Sequence, residues 1–240
     1  MSPFTLAERP DLPALAHAFA TTGHVRIPNL LAGDGADRLL AHLRGREDWR
    51  QIINSGERIF ELDRATRAEM SAERAGALEQ AVQAGARKGF QYRFESLRIP
   101  DEAAARAAAS GDMPTALVTL MNSAQGLALL RAVIGHDGPL FMDGQATAYS
   151  PGDFLTRHDD NVAGKNRRAA YVFGLTPEWR PEWGGLLLFH GEDALRGMAP
   201  AFNVLDIFAV PQPHSVSLVT PAAPRRRYAI TGWLRLQDAP

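Results

Sequence analysis

The stretch His214–Leu236, "HSVSLVTPAAPRRRYAITGWLRL", holds two short apolar or alternating runs parted by prolines and a cluster of arginines. Runs of this length between turn residues read as β-strands rather than helices. In the second run Arg227, Ala229, Thr231 and Trp233 fall on one face, and Arg226, Tyr228 and Ile230 on the other. Working back toward Gly138, "LFMDGQATAYS" (140–150), "RAAYVFGLT" (168–176), "GGLLLFH" (184–190) and "FNVLDIFAVP" (202–211) have the same texture. Gly, Pro or charged turns separate them. The succession predicts an antiparallel sandwich or barrel.

Before Gly138 the pattern is helical. "DLPALAHAFATTG" (11–23) spaces Leu12, Leu15, Ala16 and Phe19 as a helix does, with Gly23 as its stop. "HVRIPNLL" is a short extended piece. Further helices are expected over 33–46, 66–89, 102–110 and 114–135. There is no βαβ alternation and no GxGxxG, which argues against a dinucleotide fold. The fold class expected is α+β: one domain over 1–240, in which 1–138 is mainly a helical buttress and 139–240 the β core. "QIINSGERIFELDRATR" (51–67), with its mixed polarity, is a lid candidate.

Composition narrows the function classes. Of 240 residues, 45% are hydrophobic and 22% charged, and the formal net charge is -1. Such a balance gives no electrostatic case for nucleic acid or an anionic membrane as partner. No apolar run approaches the ~20 residues of a membrane span, and no signal peptide is visible, so a cytoplasmic protein is expected. Oligomeric state is open. With no cysteine in the chain, any metal must be held by nitrogen and oxygen donors.

"TRHDDNVAGKNRRAAYVF" (156–173) supplies such donors. His158 beside two aspartates can be a cap, a surface ion pair or a metal site. In an extended segment His158 and Asp160 leave one face and Asp159 the other. Two histidines and one carboxylate leave open positions on an octahedral iron. A second histidine must come from elsewhere, and His190 and His214 are the downstream candidates. His214 is favoured, because it opens a strand after the bend "VPQP" and the next strand brings Arg227 beside it. A guanidinium pairs with a carboxylate through two parallel hydrogen bonds. Arg225 and Arg226 are expected to be solvated, Asp159 and Asn161 to bond locally, and Trp183 and Trp233 to pack.

"HDDN", "GGLLLF", "PHSV" and "RYAITGWL", in this order over roughly 140–236, resemble the iron(II)- and 2-oxoglutarate-dependent dioxygenases, most of all the prolyl-hydroxylase-like subgroup. The resemblance implies a double-stranded β-helix (jelly-roll) with supporting N-terminal helices. It implies Fe(II), 2-oxoglutarate and O2 as cofactor and cosubstrates, with ascorbate as an optional addition. The metal ligands it implies are His158, Asp160 and His214. Arg227 would hold the 5-carboxylate of 2-oxoglutarate, and Tyr149 would line its pocket. The reaction implied is hydroxylation of a prolyl residue in a protein or peptide. A small-molecule hydroxylase on this fold and a cupin-like metal-binding module without turnover stand as alternatives. Some relatives carry a second cosubstrate tyrosine near Phe173-Gly174, where this chain has Gly174; Tyr171 is close by but of opposite strand parity.

Overall fold

The computed structural model describes residues 2–109 and 111–237. Helix α1 (Leu12–Thr22) runs into Gly23, whose left-handed φ of 67° lets its N–H return to the Phe19 carbonyl and end the helix. Strand β1 (His24–Pro28) follows, then helix α2 (Gly35–Gly45). Strands β2 (Arg50–Ser55) and β3 (Arg58–Asp63) form a hairpin around Gly56, where φ is 61°. Helices α3 (Arg64–Ala68) and α4 (Ala72–Lys88) lead to strand β4 (Tyr92–Arg98). Helices α5 (Ala103–Ala108), α6 (Met113–Met121) and α7 (Ala124–Ile134) complete the first half. Ser110, the last residue of the helix expected over 102–110, lies outside the described residues.

Two of the expected helices are each divided in two, for the same reason. Ser71 Oγ accepts from the Arg74 N–H at 3.3 Å, and Ser123 Oγ accepts from the Gly126 N–H at 3.3 Å. A serine hydroxyl that caps a new helix offers the backbone an alternative to continuing the old one.

Among the described residues the regular structure of the second half is β-strand, with one 3-10 turn (Pro181–Trp183): β5 (Leu140–Met142), β6 (Gln145–Tyr149), β7 (Phe154–His158), β8 (Arg167–Leu175), β9 (Leu187–His190), β10 (Leu195–Met198), β11 (Phe202–Ala209), β12 (His214–Val216) and β13 (Arg227–Leu236). The strands join one strongly curled antiparallel sheet in the order β1-β11-β8-β13-β6-β4-β7-β12-β9-β10. This is the double-stranded β-helix architecture expected.

Beyond the extended piece that became β1, the strand content of the first half was not expected. β1, β2 and β4 hydrogen-bond into the sheet, β4 against both β6 and β7. Residue 138 is therefore not where sheet structure begins, and the lid candidate 51–67 is mostly the β2–β3 hairpin.

Alternation along β8 explains both layers. Tyr171, Phe173 and Leu175 join the core shared with Ile27, Leu39, Trp49 and Leu130 under the helices. Ala170, Val172 and Gly174 turn inward. Helix α7 packs against α1 and α6 over this outer face. Among the described residues no single helix is long and apolar enough to cross a membrane; the pair α6 and α7, bent by 63°, passes by length and composition alone.

Candidate metal and cosubstrate site

Strand β7 ends at His158, so Asp160 is not presented by strand alternation. Its backbone takes φ 62°, the left-handed conformation that aspartate tolerates better than most residues. The turn brings the carboxylate back over the imidazole. Asp159 is exposed, and its Oδ1 accepts the Asn161 N–H at 3.0 Å. The expected inward and outward roles of the two aspartates match their placement, but the reason is the turn.

His214 lies across the sheet from His158, as its antiparallel neighbour in β12. Asp160 is buried between them, with Oδ1 3.5 Å from His158 Nε2 and Oδ2 3.5 Å from His214 Nε2. One donor atom from each of the three residues fits within 4.8 Å of the others. Each imidazole is oriented from behind. His158 Nδ1 is 3.0 Å from the Thr156 carbonyl, and His214 Nδ1 is 2.8 Å from the Gln212 carbonyl. A carbonyl only accepts, so Nδ1 carries the proton and Nε2 is left with a lone pair facing the centre. Burial, with His158 beside it, pushes His214 down to about 4, so it is neutral near pH 7. Burial pushes the Asp160 carboxyl up, but its contacts with His158 and His214 outweigh burial and hold it below the usual range. Two imidazole nitrogens and a carboxylate are a donor set suited to divalent iron.

His190 is elsewhere. Its Nε2 is 2.8 Å from Ser215 Oγ at the end of β9.

Arg227 is 4% exposed, and its Nε is buried with no hydrogen-bond partner. It lies opposite Tyr149 in the β13–β6 ladder, 5.1 Å from that ring's centre. Tyr149 is stacked on Phe94 at 4.9 Å. Burial pushes the Tyr149 phenol up, so it remains protonated at ordinary pH. A buried guanidinium with an orphaned N–H suits a carboxylate ligand. Tyr171 faces the helices instead, donating to the Asp143 carbonyl at 2.7 Å.

His158, Asp160, His214, Tyr149 and Arg227 line one cleft of ≈ 1280 Å³. Phe90, Tyr92 and Phe94, in sequence steps of two, form an aromatic wall from the rim inward; the Phe90 ring lies 5.3 Å from that of His158. Ile59, Phe90 and Val162, all about half exposed, bring apolar surface to this cleft.

Sequence reasoning missed Arg167. Its guanidinium lies 3.5 Å over the Trp233 ring, Nη1 donates to the Asp160 carbonyl at 3.2 Å, and Nε is buried without a partner. Nothing in "NRRAA" separates Arg167 from Arg168. Arg226 is corrected as well: its Nε donates to Ser150 Oγ at 3.1 Å and lies 3.8 Å from the buried Glu95. It is not simply solvated.

Residues 144–235 match the family model of the 2OG-Fe(II) oxygenase superfamily. This stretch belongs to that superfamily. No curated protein matches the chain. Among solved structures, a Pseudomonas putida prolyl-4-hydroxylase is similar at TM-score 0.59 and 20% identity, over 95% of this chain and 100% of that one. A prolyl hydroxylase in complex with a hypoxia-inducible-factor peptide fragment, from Trichoplax adhaerens, gives 0.59 and 18%, over 93% and 88%. The non-heme α-ketoglutarate-dependent epimerase SnoN of nogalamycin biosynthesis gives 0.59 and 13%, over 97% and 84%. These likenesses carry the fold. The matched stretch, which carries His158, Asp160, His214, Tyr149 and Arg227, is thus similar to a superfamily of Fe(II)- and 2-oxoglutarate-dependent oxygenases.

Proposed function

We propose that this oxygenase hydroxylates a prolyl residue within a polypeptide, with His158, Asp160 and His214 holding iron(II). When bound, iron(II) with 2-oxoglutarate and O2 supplies the oxidant for a C–H bond, while 2-oxoglutarate leaves as succinate and CO2. The chain's own residues then have separate tasks. The carbonyls of Thr156 and Gln212 fix both imidazoles with Nε2 forward. Arg227 pairs with the 5-carboxylate of 2-oxoglutarate, and Tyr149 walls the same pocket. Arg167 offers its unpartnered Nε beside the metal ligands.

The observation that carries the polypeptide reading is the cleft. At ≈ 1280 Å³ it exceeds the ~300–1,000 Å³ common for small-molecule sites, and aromatic side chains wall it. A pyrrolidine ring, apolar and flat-sided, packs well on Phe90 and Tyr92. The fold is also shared with the small-molecule epimerase, so a metabolite substrate is the competing reading. Proline-containing peptide mixtures and free amino acids, each incubated with iron(II) and 2-oxoglutarate, separate the two. Succinate release coupled to a 16-Da gain (one oxygen atom) on a prolyl residue is expected with peptides. Coupled turnover confined to free amino acids or metabolites rejects the polypeptide reading.

A further inference from the structure

One row of side chains crosses the interior of the sheet. Thr231 of β13 lies opposite Val172 of β8, Val172 opposite Asp206 of β11, and Asp206 opposite Arg26 of β1. Residues directly opposite in antiparallel strands project from the same face. Thr231 and Val172 line the large cleft, so Asp206 and Arg26 bring opposite charges into the same interior. This is an unusual place for a carboxylate, and it is firmly held. Asp206 is 4% exposed. Arg26 clamps it with two bonds, Nε to Oδ1 at 2.9 Å and Nη2 to Oδ2 at 2.8 Å. His24 Nε2 lies 3.1 Å from Oδ1. The same Arg26 Nη2 donates to the Ala199 carbonyl at 3.1 Å, tying the pair to the segment that runs beneath Gly174.

Arg227 meets this cluster. A cavity of ≈ 10 Å³ is lined jointly by Arg227, Asp206, Arg26 and Gly174, a gap of about one water molecule. No side chain fills Gly174's place, because a Cβ there would lie 2.4 Å from the Ala201 carbonyl oxygen. The buried guanidinium of Arg227 thus has a fixed carboxylate across a narrow gap, in surroundings where charges act over several ångströms.

We propose that Asp206, held by Arg26 and His24, is a positioning residue that balances the charge of Arg227 and so sets how tightly the distal carboxylate of 2-oxoglutarate is bound. Without cosubstrate, the Asp206 carboxylate offsets the cost of burying Arg227 unpaired. With it, the same carboxylate opposes the incoming one, and Arg26 screens that opposition. Affinity follows the difference between the Asp206 and Arg26 fields. The proposal rests on the assignment of Arg227 to the 5-carboxylate.

Isothermal titration of 2-oxoglutarate into manganese(II)-loaded protein tests it through a difference of sign. Asp206→Asn removes the opposing charge and leaves Arg26, so Kd should fall, on the order of tenfold. Arg26→Met leaves the opposing charge bare, so Kd should rise by a similar factor. Arg26→Lys keeps the charge and should stay within about threefold of the parent; this variant and Arg26→Met keep the test decisive if Asp206→Asn does not fold. A role in packing alone predicts weakening in every variant, and that result, or no change in either charge-removing variant, overturns the proposal. Arg227→Lys is the control for the underlying assignment. If it binds 2-oxoglutarate like the parent, the cosubstrate reading of Arg227 fails; if it weakens while the other variants do not diverge, only the Asp206 inference fails.

Discussion

Asp160 is joined to His158 through one exposed residue and a left-handed turn, and the two neighbouring aspartates have opposite fates. Asp160→Ala is expected to abolish manganese(II) or iron(II) binding, while Asp159→Ala, which loses only a local bond to Asn161, keeps most of it. Equilibrium dialysis of both variants measures this, and the reverse order would refute the ligand assignment. The H-x-D pattern made this aspartate legible in the sequence; the mechanism of its placement was not, because strand ends are not marked in "TRHDDN". Asp143 was invisible for a different reason. Its chemistry comes chiefly from burial, which pushes its carboxyl up to about 6, against the hydrogen bond from the Trp233 N–H at 2.6 Å. A folded-state value above the unfolded one means that the folded protein holds this proton more tightly. The stability gained is complete below about pH 4 and is lost as pH rises through 6. Asp143→Asn keeps an acceptor for Trp233 but cannot ionise. Relative to the parent, its stability should therefore improve between pH 4.5 and 7.5, by at most about 3 kcal/mol. Urea unfolding at both pH values measures the difference, and a pH-independent offset would reject the burial argument.

At the scale of elements, helices were legible where caps and periodicity agreed, as in α1 with Gly23. Apart from β1, read as an extended piece, the strands of the first half were not. β4 alternates Tyr92, Phe94 and Ser96 with Arg93, Glu95 and Leu97, and charges on both sides of Phe94 hide its strand character. Those charges are satisfied in the fold. Glu95 is 1% exposed and is paired with both Arg64 and Arg67 of α3, with Arg64 Nη2 at 3.0 Å. The cluster fastens the β2–β3 hairpin, through α3, to the strand that carries the aromatic wall. Glu95→Gln removes the carboxylate that Arg64 and Arg67 share; Arg64 keeps only the exposed Glu47 at 3.1 Å. Breaking a fully buried pair costs about 3–5 kcal/mol; here both arginines are 20–26% exposed, so about 2–3 kcal/mol is expected. For a chain of this size that lowers Tm by roughly 5–10 °C. Differential scanning calorimetry measures it, and an unchanged Tm would mean that α3 is not fastened through Glu95.

For the molecule as a whole, the order of motifs along the second half was enough to read the barrel. The long-range partners that complete its interior, such as Arg26 and His24 against Asp206, were hidden because no local pattern links residues so far apart in the chain. The same separation makes ligand binding a property of the entire fold. His158 and Asp160 flank the end of β7, His214 opens β12, and Arg227 opens β13. No subset of these strands holds the site in an unfolded chain, so ligands bind the folded state and stabilise it by mass action. The two ligands are also coupled. Arg227 contributes one ion pair, but the 1-carboxylate and 2-oxo group of 2-oxoglutarate need a metal to chelate. Manganese(II) alone at about 100 times its Kd should add ~2.7 kcal/mol, or roughly 5–10 °C in Tm. 2-Oxoglutarate alone should add little, and both together should add more than the sum of their separate shifts. A chelator added afterwards should return the melting curve to that of the free protein. Thermal melts in the four conditions test this. An equal shift from 2-oxoglutarate with and without metal would place its binding away from His158, Asp160 and His214, and would remove the basis for reading these three residues and Arg227 as one site.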